Sequence, residues 1–579
     1  MRFHALATDY DGTIAHDGAV DESTVAALER LKKSGRKLIM VTGRELPDLL
    51  AICPCLSLFD LVVVENGAVI YNPHTKETRV LAEPPPPKFA EALRKRGVKP
   101  LSVGHVIVAA FVPHQNTILE TVRELGLELQ VIFNKDAVMV LPSGVNKATG
   151  LAVALEALGL SPHNTVAVGD AENDHAFMKV CECAAAVANA LPAVKETADI
   201  VMKGARGAGV TELIDKMIAD DLSDLKTLAR HRVPVGAAEG GQEETVDPAG
   251  AGVLVCGTSG SGKSTLTTAL MEHLADAGYQ ILVVDPEGDY TNLDFAHVIG
   301  NTNQAPRPGD VTEALRDPKR SVVVNLLGVP LADRPAFFAQ LLPRVLEEKA
   351  RTGRPHWLAV DEAHHLLPVG PDAANLATHL PDRGTLYITV HAGAMEPRAV
   401  EHVRTLLVIG AHPAATLGEF CKATGEKNPK CPPVAGDKLP TGDALLWHRG
   451  QANAVLVHTK PPRTERKRHS RKYAEGNLGP ERSFHFRGPD AKLNLKASNL
   501  FMFVQLADGV DDLTWEFHRT RGDFSNWVRF QIKDNPLADE LAGIEADPGA
   551  GPKDTRAAVR AAIEARYTLP SDAPSGQID

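Results

Sequence analysis

The chain has 579 residues, and at roughly 150 residues per domain this length predicts three or four domains. Hydrophobic residues make up 44% and charged residues 23%, as in globular proteins, and the net charge of -11 argues against wholesale coating of nucleic acid. No apolar run approaches the roughly 20 residues of a membrane span, and the N-terminus lacks a signal-peptide pattern. Seven sparse cysteines without a clear set of zinc ligands are typical of a reducing compartment, so we expect a cytoplasmic protein.

A short apolar run at the start of the chain predicts a buried strand, and two carboxylates follow it. Asp9 and Asp11 stand one residue apart, which puts them on the same side of an extended chain. Gly12 then lets the chain turn, and Thr13 adds a hydroxyl. Like charges this close need a neutralising cation, so the stretch predicts a Mg²⁺ site. The alternative interpretation is an acidic loop after a strand.

Strands and helices alternate after this turn. Apolar runs at 37–41 and 61–64, each after a helical pattern, predict a parallel sheet with helices on its faces. The first ends in Thr42 and the second in Glu65, and polar groups at strand ends are where open α/β sheets bind ligands. Prolines interrupt the pattern, and residues of about 81–143 predict an inserted α+β module that caps the site.

The sheet pattern then resumes and adds two more polar positions. Lys147 opens a helical pattern, and the strand predicted at 165–168 ends in Gly169-Asp170-Ala-Glu-Asn-Asp174. Together with the two earlier stretches, these positions resemble the four motifs of the haloacid dehalogenase (HAD) phosphatase superfamily. The position of the insert resembles that in the Cof-type subgroup. The amino-acid sequence of residues 169–174 is similar to the corresponding motif of archaeal-type phosphoglycolate phosphatases. The resemblance covers about the first 215 residues.

The resemblance implies a role for each of these residues. Asp9 would be the nucleophile that forms an aspartyl-phosphate, and Asp11 would act as general acid and then general base. Thr42 and Lys147 would hold the phosphoryl oxygens. The implied Mg²⁺ ligands are Asp9, the backbone carbonyl of Asp11, and Asp170, with Asp174 in support.

A Gly- and Glu-rich stretch, 223–250, predicts a flexible linker to a second domain at 251–460. That domain begins with a strand and a complete G-x-x-x-x-G-K-S phosphate loop followed by a helix. Lys263 would reach the outer phosphates of ATP, and Ser264 would hold Mg²⁺. The predicted nucleotide-binding residues are Gly257, Thr258, Ser259, Gly260, Ser261, Gly262, Lys263, Ser264 and Thr265.

A later apolar strand ends in Asp361-Glu362, which predicts a second Mg²⁺-supporting carboxylate and a residue that polarises the attacking water. This set, with the stretch at 285–290, resembles the HerA/FtsK-like translocase ATPases, and the resemblance implies a homo-oligomeric ring. That family usually has a Gln where this chain has His391, which puts coupling of hydrolysis to movement in doubt. Arg398 and Arg404 are candidate arginine fingers that would reach a neighbouring subunit. The alternative is that both are ordinary surface arginines.

The remaining chain carries no motif with an obvious chemistry. The basic run at 463–472 has two interpretations: a solvated linker, or a segment that binds the phosphate backbone of a nucleic acid. Clustered aromatic residues predict a small packed domain at 461–545, and the tail at 546–579 is partly helical. The predicted fold class is α/β: a Rossmann-like parallel sheet with a cap, a RecA-like P-loop domain, and a small C-terminal domain.

Two hypotheses on function follow. The first is a Mg²⁺-dependent phosphatase for a small phosphorylated metabolite, fused to a domain that binds and hydrolyses ATP. The second is an ATP-driven nucleic-acid translocase or a polynucleotide end-processing kinase–phosphatase, in which Asp285 is a candidate kinase base. The predicted cap would hinder a polymer substrate and the chain is acidic, so the first hypothesis is favoured and nucleic acid is not.

Overall fold

The computed structural model describes residues 1–134, 136–223, 225, 229–250, 252–258, 260–464, 478, 482–489, 492–532 and 534–567. The chain divides into two compact units, Met1–Thr464 and Glu465–Asp579. Among the described residues, none of the helices combines the length and apolar character that a bilayer crossing needs.

The N-terminal part of the first unit is built on a mainly parallel sheet. In the described chain its strands run in the order Ile200–Val201, Cys183–Ala186, Thr165–Gly169, Ala5–Thr8, Lys37–Val41, Leu61–Val64, Val69–Tyr71 and Thr78–Val80, the last two antiparallel. The accompanying helices are Glu22–Lys33, Leu46–Ile52, Lys147–Ala157, His175–Val180, Pro192–Thr197 and Arg206–Asp220. This arrangement confirms the predicted parallel sheet.

The register of this sheet explains why the polar motifs meet. The strand Ala5–Thr8 lies at the centre, and Leu6 pairs in parallel with Val166 on one side and Leu38 on the other. All four residues of the central strand are buried, as expected for a strand covered on both faces. The residues that follow the neighbouring strands therefore lie at one edge of the sheet.

An antiparallel module stands over that edge, and we call it the cap. Its strands lie in the order Leu129–Asn134, Ala137–Pro142, Val108–Phe111 and Ser102–Val103, with helices Pro87–Lys95 and Gln115–Glu124. Its own small core includes Phe89, Leu93 and Val140.

Glu65 fastens the cap to the sheet. Its side chain is fully buried at the end of the strand Leu61–Val64. One carboxylate oxygen accepts the backbone N–H of His105 at 2.8 Å, and the other accepts those of Val106 at 2.7 Å and Ile107 at 3.0 Å. A buried carboxylate is stable only when such donors replace water, so this contact fixes one entry point of the cap.

The second part of the first unit has its own large sheet. In the described residues its strands run Glu243–Val246, Val233–Ala238, Val455–Thr459, Asp443–His448, Val403–Ile409, Gly252–Gly257, Thr385–Thr389, Trp357–Val360, Ile281–Asp285, Ser321–Asn325 and Ala296–Ile299. The strands from Val403–Ile409 onward in this order are mutually parallel. Its α-helices are Lys263–Asp276, Pro308–Leu315, Arg334–Thr352, Ala363–Leu366, Pro371–Ala377, Pro397–Val400 and Pro413–Thr424.

The structure differs from the linker predicted at 223–250. Residues Val233–Ala238 and Glu243–Val246 form a hairpin that pairs with Val455–Thr459 and extends the second sheet. Val233 and Val235 occupy alternating positions, and both side chains are buried against the sheet. Burial of these apolar side chains stabilises the strand despite the polar composition of the turn. The hairpin thus belongs to the second sheet rather than to a free connection.

The two parts of this unit meet at a polar contact that we call the seam. It joins residues 159–164 and Glu182 of the first part to residues 277–280 and 353–356 of the second. Each of these segments comes directly before a strand of its sheet. The seam therefore lies at the amino ends of both sheets, and the polar carboxyl ends of the two sheets face away from it.

Arg354 is the most deeply buried charged group of the seam, with 1% of its surface exposed. Its guanidinium donates to the carbonyl oxygen of Gly159 at 2.8 and 3.1 Å, which crosses the seam. It also donates to Gln280 Oε1 and to the Leu315 carbonyl, each at 2.9 Å. Burial lowers the pKa of Arg354 to about 10, which leaves it charged at neutral pH.

The second unit is mainly helical. It contains a short hairpin of Phe484–Phe486 with Leu495–Ala497 and the helices Leu500–Gly509, Asp512–Arg519, Asp523–Trp527, Val528–Ile532, Asn535–Glu545 and Pro552–Arg566. Its aromatic residues pack as a core, as predicted, with Phe503 and Trp527 stacked at 5.1 Å. The last helix contributes Val559 and Ile563 to that core, so the predicted tail takes part in the fold as far as Tyr567. Most of the basic run lies outside the described residues.

We predict that Arg354→Met lowers the free energy of unfolding by about 3 kcal/mol, because it leaves several buried carbonyl oxygens without a donor. The matched control is Arg320→Met, whose side chain is 69% exposed. Urea unfolding of both proteins measures the difference. Equal midpoints for the two variants would contradict a stabilising seam.

We predict that Glu65→Ala speeds hydrogen exchange at the amides of His105, Val106 and Ile107 by roughly tenfold or more, because all three lose their acceptor. Exchange measured by mass spectrometry tests this, with Glu77→Ala, an exposed glutamate, as control. Unchanged protection of these amides in Glu65→Ala would show that the cap is held by other contacts.

Candidate functional site

Three carboxylates meet at the carboxyl edge of the first sheet. Asp9, Asp170 and Asp174 are at most 4% exposed, and one carboxylate oxygen of each lies within 4.8 Å of the others. Asp9 follows the central strand and Asp170 follows its neighbour Thr165–Gly169. The sequence placed these residues at one edge, and the structure brings them into one group.

Lys147 is the cation of this group. Its Nζ donates to Asp9 Oδ1 at 2.5 Å and to Asp174 Oδ1 at 2.6 Å, and it is 1% exposed. It starts the helix Lys147–Ala157, whose N-terminus is capped by the side chain of Asn146. Burial opposes the charged form, but the carboxylates of Asp174 and Asp9 outweigh it and the pKa of Lys147 is raised.

The group brings three buried carboxylates together. Burial together with Asp174 raises the pKa of Asp9 despite the opposing charge of Lys147. Oxygen donors of this kind suit Mg²⁺. The residues present therefore fit the Mg²⁺ site that the sequence predicts.

Asp174 has a more specific environment than the sequence suggested. Its Oδ2 accepts the backbone N–H groups of Asp170 at 2.8 Å and Ala171 at 2.9 Å, while Oδ1 accepts from Lys147. Its carboxylate thus orders the loop and holds the lysine. Supporting a metal, the role predicted for it, is consistent with this position.

Asp11 lies outside the three-carboxylate group. Arg44 binds it through two hydrogen bonds, Nε to Oδ2 at 2.6 Å and Nη2 to Oδ1 at 2.8 Å, and the same guanidinium contacts Asp48. Such a pair fixes both the position and the orientation of the carboxylate. Arg44 therefore orients the carboxylate of Asp11.

The turn after the central strand is shaped by its close approach to Asp170. Gly12 has φ +81°, and a Cβ at this position would lie 2.5 Å from a carboxylate oxygen of Asp170. Thr13 donates its hydroxyl to Asp170 Oδ1 at 3.1 Å. Thr42 is buried beside this turn, and its hydroxyl accepts the backbone N–H of Arg44 at 3.2 Å.

The cap closes over the motif that contains Thr42. A Cβ on Gly43 would lie 3.3 Å from Met139 Sδ of the cap and 3.6 Å from Asn173 Nδ2. Asn173 donates to Asn66 Oδ1 at 3.1 Å, and its own Oδ1 is buried with no partner among the described residues. The space next to the three carboxylates is therefore bounded by the cap and offers an unpaired polar atom.

The phosphate loop lies at the carboxyl edge of the second sheet, between the strand Gly252–Gly257 and the helix Lys263–Asp276. Lys263 Nζ donates to the carbonyl oxygens of Gly257 at 3.0 Å and Thr258 at 3.4 Å. Ser261 Oγ is buried without a partner in the described part of the loop. Gly260 and Gly262 adopt positive φ, Thr265 lies in the first turn of the helix, and Ser259 lies outside the described residues.

Asp289 has no role predicted from the sequence. Its Oδ2 accepts the hydroxyl of Ser264 at 3.0 Å. Asp285 organises this turn, since its carboxylate accepts the backbone N–H groups of Gly288, Asp289 and Tyr290. Those contacts engage both oxygens of Asp285 in ordering the turn. Asp289 lies four residues after the end of the strand Ile281–Asp285. A carboxylate so close to a strand end was the feature of the sequence that could have indicated it.

Asp361 and Glu362 follow the strand Trp357–Val360 as predicted. Burial, with Asp285 and Asp289, raises the pKa of Asp361 well above its usual range. Glu362 adopts φ +43°, an uncommon conformation for a non-glycine residue. Burial also raises the pKa of Glu362, against the charge of Lys263. This site, like the first, gathers carboxylates, and carboxylate oxygens are ligands that suit Mg²⁺.

Three further candidates lie at the surface. His391, Arg398 and Arg404 are exposed, and the backbone N–H of His391 donates to the Thr389 hydroxyl at 3.3 Å. Among the described contacts, none places either arginine against the phosphate loop of its own chain.

Comparison with known proteins identifies both parts. The profile of haloacid dehalogenase-like hydrolases matches residues 6–98 and 111–214, and that of an AAA domain matches residues 249–394. A phosphoglycolate phosphatase of Methanothermobacter thermautotrophicus is 32% identical over 222 residues, which make up 37% of this chain and 98% of the relative. Phosphoglycolate phosphatase 2 of Saccharolobus solfataricus is 30% identical over 225 residues, 37% of this chain and 92% of the relative.

A haloacid dehalogenase-like hydrolase of Bacteroides thetaiotaomicron, known as a crystal structure, is 20% identical with a TM-score of 0.33, over 37% of this chain and 99% of its own. Through its N-terminal part the chain belongs to the haloacid dehalogenase-like hydrolases, and a P-loop AAA domain follows in the same chain.

Proposed function

We propose that the chain is a Mg²⁺-dependent phosphomonoester hydrolase for a small phosphorylated metabolite, joined to a domain that binds and hydrolyses ATP. The observation that carries the proposal is the contact of Lys147 with Asp9 inside a buried group of three carboxylates. A lysine and a cation site around one carboxylate are what an attack on a phosphoryl group requires. The printed names of the two relatives make phosphoglycolate the first substrate to test.

The chain's own residues divide the reaction between them. Asp9 attacks phosphorus and becomes an aspartyl-phosphate, while the leaving oxygen takes a proton from Asp11. Asp11 then removes a proton from the water that cleaves the aspartyl-phosphate. Lys147 and Thr42 hold the phosphoryl oxygens, and Arg44 keeps Asp11 in place. Asp9, Asp170 and the Asp11 carbonyl, with Asp174 nearby, would hold Mg²⁺, which offsets negative charge on the phosphoryl group.

The position of the cap supports a small substrate. Met139 lies over Gly43, and Glu65 anchors the cap loop with three backbone hydrogen bonds. A covered site excludes water and leaves little room for a polymer end. The cap and the unpaired Asn173 Oδ1 would then select the part of the substrate beyond the phosphate.

The second site is proposed to bind ATP with Mg²⁺. Lys263 and the loop amides would hold the phosphates, Ser264 with Asp361 would hold Mg²⁺, and Glu362 would polarise the attacking water. The more specific resemblance to HerA/FtsK-like translocases, with its ring of subunits, remains a proposal that rests on the motifs alone.

We predict that the purified full-length protein releases phosphate from phosphoglycolate or a sugar phosphate in the presence of Mg²⁺. Asp9→Asn should lose at least about 10³-fold in kcat, because the nucleophile is gone. The matched control is Asp17→Asn, whose side chain is 90% exposed. Phosphate release is measured over small phosphates, nucleotides and 3′- or 5′-phosphorylated DNA.

Turnover of DNA ends alone would replace the metabolite hypothesis with the end-processing one. Full activity in Asp9→Asn would contradict the proposed mechanism.

We predict that Asp289→Asn weakens ATP binding about tenfold with Mg²⁺ and much less in EDTA, because the carboxylate supports the metal-binding hydroxyl of Ser264. Titration with a fluorescent ATP analogue under both conditions measures this. Asp294→Asn, an exposed aspartate, is the control, and Lys263→Ala gives the loss expected without the phosphate loop. Equal weakening with and without Mg²⁺ would assign Asp289 a purely structural role.

A further inference from the structure

A second group of metal-ligand side chains lies at the seam, far from both sites described above. It consists of His163, Glu182 and His231, and one nitrogen or carboxylate oxygen of each lies within 4.8 Å of the others. His163 and Glu182 are buried and His231 is partly buried. His163 and Glu182 precede strands of the first sheet, so they lie at the end of that sheet opposite to Asp9.

The contacts of His163 require a cation in this group. Its Nε2 lies 2.7 Å from the carbonyl oxygen of Ala277, so this nitrogen carries a hydrogen. In a neutral ring Nδ1 then has only a lone pair, yet it lies 2.8 Å from Glu182 Oε2. Two acceptors at this distance repel each other unless a proton or a metal ion lies between them.

His231 decides between a proton and a metal ion. Its Nε2 is buried and has no hydrogen-bond partner among the described residues. An unprotonated imidazole nitrogen in this position is a donor that can bind a metal ion. A proton shared by His163 and Glu182 leaves this nitrogen unpaired, whereas a metal ion satisfies all three residues.

We propose that His163 Nδ1, Glu182 and His231 Nε2 bind one divalent transition-metal ion, with Zn²⁺ as the best match to two imidazoles and a carboxylate. Zinc takes such ligands at about 2.0–2.2 Å, so His163 and Glu182 would move apart by roughly half an ångström.

The surroundings are those of a ligated histidine and carboxylate. The hydrogen bond from His163 to a backbone carbonyl is the usual contact that orients a metal-bound imidazole. Glu182 also accepts from the Tyr279 hydroxyl at 3.0 Å and from Arg2 at 2.7 Å. The other nearby guanidinium, Arg230, is paired with Asp199 and with backbone carbonyls.

The position of the group gives the ion a structural role. His163 and Glu182 come from the first part of the chain, and His231 comes from the segment that leads into the hairpin of the second sheet. Tyr279, which stacks on His163 with ring centroids 3.7 Å apart, comes from the second part. The ion would therefore fasten the hydrolase to the AAA domain, independently of the function proposed for either.

Metal binding by the full-length protein tests this proposal. The protein is stripped with a chelator, placed in excess Mg²⁺ to fill the carboxylate sites, and loaded with Zn²⁺ or Co²⁺. We expect about one tightly bound Zn²⁺ per chain, and Co²⁺ absorption typical of four or five ligands that include nitrogen. His231→Ala should lose both, while His458→Ala, a surface histidine, should keep them.

Two further variants separate the alternatives. Asp170→Asn should keep the zinc, because it alters only the carboxylate group at the other end of the sheet. Glu182→Gln should lose it. If Glu182→Gln does not fold, His231→Ala decides, since its ring is partly exposed and lies outside the strands. Equal zinc content and Co²⁺ spectra in wild type and His231→Ala, or no zinc in either, would overturn the proposal and leave a protonated His163–Glu182 pair.

Discussion

The buried ion pairs of Lys147 are the interaction on which the first site depends. One ammonium group holds Asp9 and Asp174 together, and Asp174 in turn orders the loop that carries Asp170. Removing one partner of such a buried pair typically costs about 3–5 kcal/mol, because the remaining charge is left without compensation. The same contact therefore stabilises the site and aims positive charge at the nucleophile.

Backbone packing places this lysine. A Cβ on Gly67 would lie 1.9 Å from the carbonyl oxygen of Asn146, and a Cβ on Gly150 would lie 2.6 Å from Gly67 Cα. Two glycines thus let the helix that begins at Lys147 approach the turn after the strand Leu61–Val64. The side chain of Asn146 caps the same helix. Local sequence, close packing and the ion pairs act together to fix one nitrogen atom beside Asp9.

Because the two sheets meet at the seam by their amino edges, the two sites face in opposite directions. Each sheet presents its amino edge to the seam and its carboxyl edge, with its carboxylates, to the outside. Each site lies one strand length from the seam, roughly 13–20 Å for strands of four to six residues at about 3.3 Å per residue. Passage of a product directly from one site to the other does not fit this arrangement. Any communication would have to pass through the strands and the seam.

Parallel strands bring their carboxyl ends to one edge, and this rule with the spacing of the apolar runs predicts that Asp9, Thr42 and Asp170 lie at the same edge. Lys147 begins a helix, and its part in the site was implied by the resemblance to the HAD phosphatases. The contacts of Arg44 with Asp11 and of Asp289 with Ser264 needed side-chain geometry that no pattern specifies.

The hairpin at 233–246 was missed because its turn is polar, although Val233 and Val235 alternate as in a strand. The seam was missed for a different reason. His163 and Ala277 are 114 positions apart, and no local signal joins them.

The most direct test of the account is to trap the phosphoryl group on the protein. The full-length chain is mixed with ³²P-labelled acetyl phosphate and Mg²⁺, quenched in acid, and digested for peptide mapping. We predict a label that hydroxylamine removes, in the peptide that contains Asp9. Phosphate release without any labelled protein, or a label on another residue, would contradict it.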